Sequence, residues 1–202
     1  MDLVHFESLY RRFPSKKAER RGWQTLARAA EERLLALGHI GTPALIPSFV
    51  HARVAAALWA SGVPRRAALA AQSVLTLGAH AGLEVRILRD LGASPVVGVE
   101  RDPKLVAVGQ AVGLAAPTEL VVADLWEFLA GDSRRWDRIL VLAPQALSLS
   151  RLVQAARPRL APAGRLSVLA HADQVADIPP APRPLPALEG TMWAWVFGPF
   201  PA

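Results

Sequence analysis

Gly78-Ala79-His80-Ala81-Gly82, Glu100 and Asp124 are the residues whose types and spacing could handle a ligand. A turn of small residues lets a bound molecule touch the backbone, because little side chain stands in the way. A helix starting at the end of that turn offers unpaired N–H groups and a positive dipole end to a carboxylate or phosphate. Glu100 follows Gly78 by 22 positions, close to the ~20 between a phosphate-binding glycine turn and a ribose-binding acid. A carboxylate so placed can accept both hydroxyls of a ribose. Its competing role is a solvated acid at a strand end, or a partner for Arg101. Asp124 is a second acid in an equivalent place, and it could equally cap a helix, with Glu127 in capping-box position. His171, with Asp173 nearby, could accept a substrate proton, since imidazole titrates near neutrality. The plainer role for His171 is a loop histidine bonded to backbone.

The elements around these residues alternate. Val74 to Leu77 is an apolar run of strand length that stops at Gly78, and Leu83 to Leu91 has helical spacing with Leu83, Ile87, Leu88 and Leu91 on one side. Gly92 sits where a left-handed C-cap is expected. Pro95 to Val99 is a second strand closed by Glu100, and Glu119 to Ala123 a third closed by Asp124. Asp102-Pro103 starts a helix, a cap followed by proline at the first helical position, which runs to Gly113. A brief helix over Leu125 to Leu129 precedes a fourth strand, Arg138 to Leu142. Asp137, just before that strand, is read as a capping or solvated acid. Ser148 or Ser150 caps the helix holding Leu149, Leu152 and Val153. Pro158, Pro162 and Gly164 turn the chain into a fifth strand, Arg165 to Ala170. Strand alternating with helix predicts an α/β fold, a doubly wound and mainly parallel sheet with helices on both faces. Thr191 to Phe197 is the last strand. Its Trp193, Trp195 and Phe197 share one face that helices or another subunit must cover.

With these motifs the chain resembles the class I S-adenosylmethionine-dependent methyltransferases. The matching stretches are VLTLGAHAG at Val74–Gly82, VVGVERDPKLV at Val96–Val106, VVADLWEFL at Val121–Leu129, WDRILVLAP at Trp136–Pro144 and LAPAGRLSVLAH at Leu160–His171. They cover about half the chain in family order. The resemblance implies S-adenosylmethionine as cofactor, the glycine loop Gly78 to Gly82 passing under its methionine part. It also implies Glu100 on the ribose, Asp124 near the adenine amine, and an antiparallel course for the last strand, Thr191 to Phe197. Thr76, Ala79, His80, Arg101 and Leu125 complete the implied contact set. The chain departs from the family pattern in two places: Thr76 stands where the family usually has an acid, and His80 where it has its middle glycine. After the fourth strand, family members that methylate base amines often carry an Asn- or Asp-Pro-Pro-aromatic turn. Ala143-Pro144-Gln145-Ala146 lacks it, which argues against that chemistry.

The leading third is read as helical. Trp23, Leu26, Ala27, Ala30, Leu34 and Leu37 form one apolar stripe closed by Gly38. Pro43 and Pro47 break the chain, and Ser48 is expected to cap a second helix with Val50, Val54, Leu58 and Trp59 inward. Arg65 to Gln72 is a short alanine-rich helical turn. The expected organisation is an N-terminal helical extension over 1–72 packed on a Rossmann-like methyltransferase domain over 73–202. Pro179 to Pro186 contains five prolines, which excludes an inner strand and makes it a stiff loop.

The chain has 202 residues, 52% of them hydrophobic, and no cysteine. It can therefore bury a proper core, is not a disordered sequence, and has neither disulfides nor thiolate metal sites. His5, His39 and His51 show no metal spacing. No apolar run approaches the ~18 residues of a membrane span, and Met1 to His5 lack the features of a secretory signal; the expected location is the cytoplasm. The net charge of +6 favours anionic partners. Arg11, Arg12, Lys16, Lys17, Arg20, Arg21 and Arg28 make nucleic acid a candidate partner, against a solvated helix face interleaved with Glu19, Glu31 and Glu32. Three functions are weighed: a methyltransferase for a small or macromolecular acceptor, a methyltransferase-like binding or scaffold module, and a nicotinamide enzyme. The last needs glycine at His80 and glycine or alanine at Leu83, so it fits poorly.

Overall fold

The computed structural model describes residues 8, 11–41, 43–142, 147–171, 175–176 and 192–199. The proline-rich stretch Pro179–Pro186, Asp173 and the Ala143–Ala146 turn lie outside them, as do the side chains of His171 and Trp193. Two long helices come first, α1 (Lys17–Ala36) and α2 (Pro47–Ala60). The alternating part follows as β1 (Val74–Leu77), α3 (Leu83–Leu91), β2 (Val96–Glu100), α4 (Pro103–Ala111), β3 (Leu120–Val122) and α5 (Leu125–Gly131). It continues through β4 (Trp136–Leu142), β5 (Leu147–Ser148), α6 (Leu149–Ala156), β6 (Leu160–His171), β7 (Val175–Ala176) and β8 (Met192–Phe197). Six strands form one sheet in the order β3-β2-β1-β4-β6-β8, and β5 pairs with β7 apart from it. All pairings in the large sheet are parallel except β6 with β8, where Ala170 faces Trp193 and Leu166 faces Phe197.

The sheet separates two apolar layers, and alternation along its strands assigns residues to each. Leu140 and Leu142 of β4 join Trp23, Leu34, Val54, Leu58 and Leu88 on the face covered by α1 to α4. Ile139 and Val141 join Leu129, Leu149, Leu152 and Trp195 on the face covered by α5 and α6. Trp195 is thus covered by the chain's own helices, and Phe197 packs half-buried beside it.

The helical front follows its stripe, with one exception. Trp23, Ala27, Ala30 and Leu34 are buried, whereas Leu37 is the C-cap and stands exposed because the helix ends one residue earlier. In α2 the cap is Ile46 rather than Ser48, with Pro47 at the first helical position. A proline there costs no hydrogen bond, so it starts the helix instead of breaking the chain. This helix is buried nearly all round, His51 included, because it lies against α1, α3, β4 and β6 at once. The His51 Nε2 bonds the Phe13 carbonyl at 3.0 Å, and burial pushes the imidazole down to about 4. The fifth predicted strand, β6, starts earlier than Arg165. Leu160 pairs with Trp136 before the register shifts and Arg165 meets Arg138. Gly164 sits in that irregularity, where a Cβ would come 2.7 Å from the Trp136 carbonyl oxygen. Among the described residues no helix is long and apolar enough to cross a membrane.

Candidate functional site

The C-terminal ends of β1 and β2 bring Gly78–Gly82 and Glu100 together. The chain leaves β1 through Gly78, whose φ of +77° is left-handed, and both Gly78 and Ala79 donate their N–H groups to the Val99 carbonyl, at 2.8 and 3.0 Å. His80 also has positive φ, +48°, a backbone state that costs a non-glycine residue roughly 1–2 kcal/mol. That conformation points the His80 N–H at Glu100, which accepts it through Oε2 at 3.0 Å. The other oxygen, Oε1, accepts the Asp102 N–H at 3.0 Å. The predicted acid therefore lies against the predicted turn, held by two backbone donors that leave further lone pairs for a ligand.

Two glycines outside the turn fix its shape. Gly98 lies in β2 beneath it, where a Cβ would come 2.6 Å from Val85 Cγ2 and 2.7 Å from Ala79 Cβ. Gly109 in α4 lets that helix rest directly on the Ala81 backbone, since a Cβ there would collide with the Ala81 carbonyl. Neither is a motif glycine; only the close approach of helix to turn reveals them. Gly78, by contrast, is exposed, and nothing lies within 4 Å of where its Cβ would be.

Thr76 is buried and gives its hydroxyl to Glu84 Oε1. Glu84 belongs to the first turn of α3, and only 8% of it is exposed. Burial pushes its carboxyl up to about 7, against the lowering effects of the Thr76 hydroxyl and the Arg53 guanidinium, with nearby Glu100 raising it further. Reading by strand position missed this acid, because it belongs to the helix and reaches back to the Thr76 hydroxyl. The spacing Thr76–Glu84 spans the turn, so a search for carboxylates around the turn rather than within β1 would have found it. His80 is held below its usual range, chiefly by burial and opposed by Glu100, and its Nδ1 is buried without a hydrogen-bond partner among the described residues.

The remaining candidates separate. Asp124 is the N-cap of α5, its Oδ1 accepting from Trp126 N at 2.8 Å and Glu127 N at 3.3 Å. It stays next to the site, because the preceding Ala123 N–H bonds the Glu100 carbonyl at 3.0 Å. Glu127 is exposed. Arg101, just after β2, is exposed, and Leu125, the first residue of α5, is half-buried. His171 ends β6 at the same edge, its backbone paired with Met192. Asp137 lies at the opposite edge, where Oδ2 accepts Ser73 N at 2.9 Å and Ser73 Oγ at 2.8 Å. It braces β4 to β1, a firmer role than the solvated cap expected of it.

The residues present suit a nucleoside-bearing cofactor. Open space lies over Gly78, a carboxylate stands at the β2 tip, and the turn contains one buried nitrogen in need of a partner. The topology is equally informative. A parallel sheet whose last strand is inserted antiparallel beside the strand that carries His171 differs from an all-parallel dinucleotide fold. Among solved structures, yhhF of Escherichia coli, a candidate methyltransferase, matches with a TM-score of 0.51 at 17% identity over 63% of this chain and 75% of that one.

This is the class I methyltransferase fold.

The DhpI–SAH complex matches at 19% identity and a TM-score of 0.49, over 89% of this chain and 80% of that one. Thermoplasma acidophilum 1320 matches at 16% identity and a TM-score of 0.45, and the chain spans 62% of that protein, less than two thirds. No protein-family model matches the sequence, and no curated protein matches it.

Proposed function

We propose that this chain is an S-adenosylmethionine-dependent methyltransferase whose cofactor lies over Gly78–Gly82. The observation that carries the reading is the contact between the turn and Glu100, the His80 N–H resting on the carboxylate at 3.0 Å. Glu100 would hold the ribose hydroxyls through lone pairs not used by His80 and Asp102. Asp124, Leu125 and Arg101, just after β3 and β2, would border the base. Gly78 and Ala79 would pass under the amino-acid end, with Thr76 and Glu84 directly below the turn.

The bound cofactor supplies an electrophilic methyl group on a sulfonium. The protein's part is alignment and exclusion of water, which can account for much of the acceleration in a transfer between two held reactants. No strong base is required where the acceptor atom is already a neutral nucleophile. His171, at the end of β6, is the side chain proposed to accept a proton where one must leave.

A second reading, a methyltransferase-like binding module without catalysis, is favoured by one observation: His80 places an imidazole in the turn where the fold usually has none. Calorimetric titration of S-adenosylmethionine and of its demethylated product into the full chain separates the two. Saturable micromolar heat, abolished in Glu100→Ala, is the expected result. A flat titration of the unaltered protein would refute cofactor binding.

A further inference from the structure

The geometry points to a second binding surface: the N-terminal edge of the sheet, opposite the glycine turn, takes the phosphates of a nucleic-acid strand, centred on Arg138 and Arg165. This inference does not rest on the cofactor reading.

Arg138 of β4 and Arg165 of β6 are register partners on adjacent parallel strands. Two guanidiniums placed side by side in a sheet repel each other, and such like-charged pairs are destabilising. What they bind within the chain is backbone. Arg138 Nη1 donates to the Asp137 carbonyl oxygen at 2.6 Å, and Arg165 Nη1 to the Gly198 carbonyl oxygen at 3.1 Å. The Asp137 carboxylate has its Oδ2 turned to Ser73. Arg138 Nε is buried and has no hydrogen-bond partner among the described residues. Burial, first, and the Arg165 charge hold Arg138 below its ordinary range, with Asp137 opposing. An oxyanion bridging the solvent-facing ends of the two forks would screen the repulsion and add charge-assisted hydrogen bonds to both guanidiniums.

The positive surface extends beyond the pair. Arg165 Nε lies 3.8 Å from the position of a Cβ on Gly62, so it borders the Gly62–Pro64 turn. Arg12 reaches the same turn, its Nη1 3.5 Å from the Pro64 carbonyl oxygen. Arg65, next in sequence, is exposed, and so is Lys16 at the start of α1. Of the acids of this region, Glu19 is bound at 2.8 Å by Arg66, and Asp137 has its Oδ2 engaged by Ser73. A single small ion would engage the arginine pair only; a row of cations continuing past it matches a chain of phosphates. An anionic membrane fits less well, since binding there draws on exposed apolar side chains as well as charge. The large exposed apolar residues of α1 and its following loop, Leu35, Leu37 and Ile40, lie at the other end of that helix.

Fluorescence anisotropy of the full chain with a labelled single-stranded RNA, without cofactor, tests this. The expected result is saturable binding that weakens with salt. Arg165→Gln and the exposed Arg65→Glu should each weaken it several-fold and reduce the salt slope by about 0.7 for each phosphate no longer neutralised. Arg65→Glu keeps the test valid should Arg165→Gln fail to fold, which thermal melting would reveal. Binding unchanged in Arg65→Glu and a folded Arg165→Gln would overturn the inference. So would binding to vesicles of anionic lipid with none to RNA.

Discussion

Glu84→Gln separates the cost of burying a charge from the benefit of filling a space. In the folded chain burial lifts the Glu84 carboxyl from an ordinary 4.5 to about 7. Between those values the unfolded chain has given up the proton and the folded chain keeps it. Unfolding therefore releases a proton, and stability falls as pH rises across that window. The full loss, reached above pH 7, is roughly 3 kcal/mol at 1.36 kcal/mol for each decade of proton affinity. Below pH 4.5 both states are protonated and Glu84 costs nothing. Glutamine keeps the shape and can still bond the Thr76 hydroxyl, but it carries no proton to lose. Urea unfolding of both proteins at pH 5 and pH 8 measures the effect. Glu84→Gln should be the more stable at pH 8 by up to roughly 3 kcal/mol, equivalent to about 6–12 °C in Tm for a chain of this size. The gap should narrow to under about 1 kcal/mol at pH 5. A gap of equal size at both pH values, or a less stable variant at pH 8, would refute the buried neutral acid beneath the turn.

Other outcomes rest on the same geometry. His51 works in the opposite sense: its folded value of about 4 against an ordinary 6.5 means that stability is complete above pH 6.5 and is lost on acidification towards pH 4. Urea midpoints should show that acid-side loss in the unaltered chain and a smaller one in His51→Gln. Asp124→Ala should cost about 1 kcal/mol by removing the N-cap of α5, whereas Asp124→Asn should keep most of that stability in thermal melts. Gly109→Ala drives a methyl into the Ala81 carbonyl and should cost about 1–3 kcal/mol; a melt unchanged from the unaltered chain would contradict the contact between α4 and the turn.

Much of this architecture is legible in the residues themselves, where a signal is local. Apolar runs ending at Gly78 and Glu100 mark β1 and β2, because strands buried on both faces carry few polar positions until they emerge; the run ending at Asp124 marks β3, although this edge strand leaves Val122 exposed. Asp102-Pro103 marks α4 for the same local reason, as its carboxylate accepts Lys104 N at 2.8 Å. What escapes such reading depends on contacts between segments distant in sequence. Pro47 looks like a breaker until its preceding turn is known to need no N–H from it. The early start of β6 depends on a glycine fitting against Trp136, and the brace from Asp137 to Ser73 on strands 64 positions apart meeting side by side. Within the site, Gly78 and Glu100 were legible by spacing. Glu84 was not, since a carboxylate in an amphipathic helix that also carries Arg86, Arg89 and Asp90 reads as a surface residue until the hydroxyl that donates to it is seen.

The chain from Glu100 to Ala81 closes on itself. Glu100 holds the Asp102 N–H at the start of α4, and α4 in turn rests its bare backbone on Ala81 within the turn. A ligand that draws the carboxylate towards itself must tug the first turn of α4, and through Gly109 that tug arrives back at the loop from behind. Amide exchange early in α4, on atoms no ligand touches, should therefore slow or quicken together with exchange at His80, making the helix a reporter of occupancy.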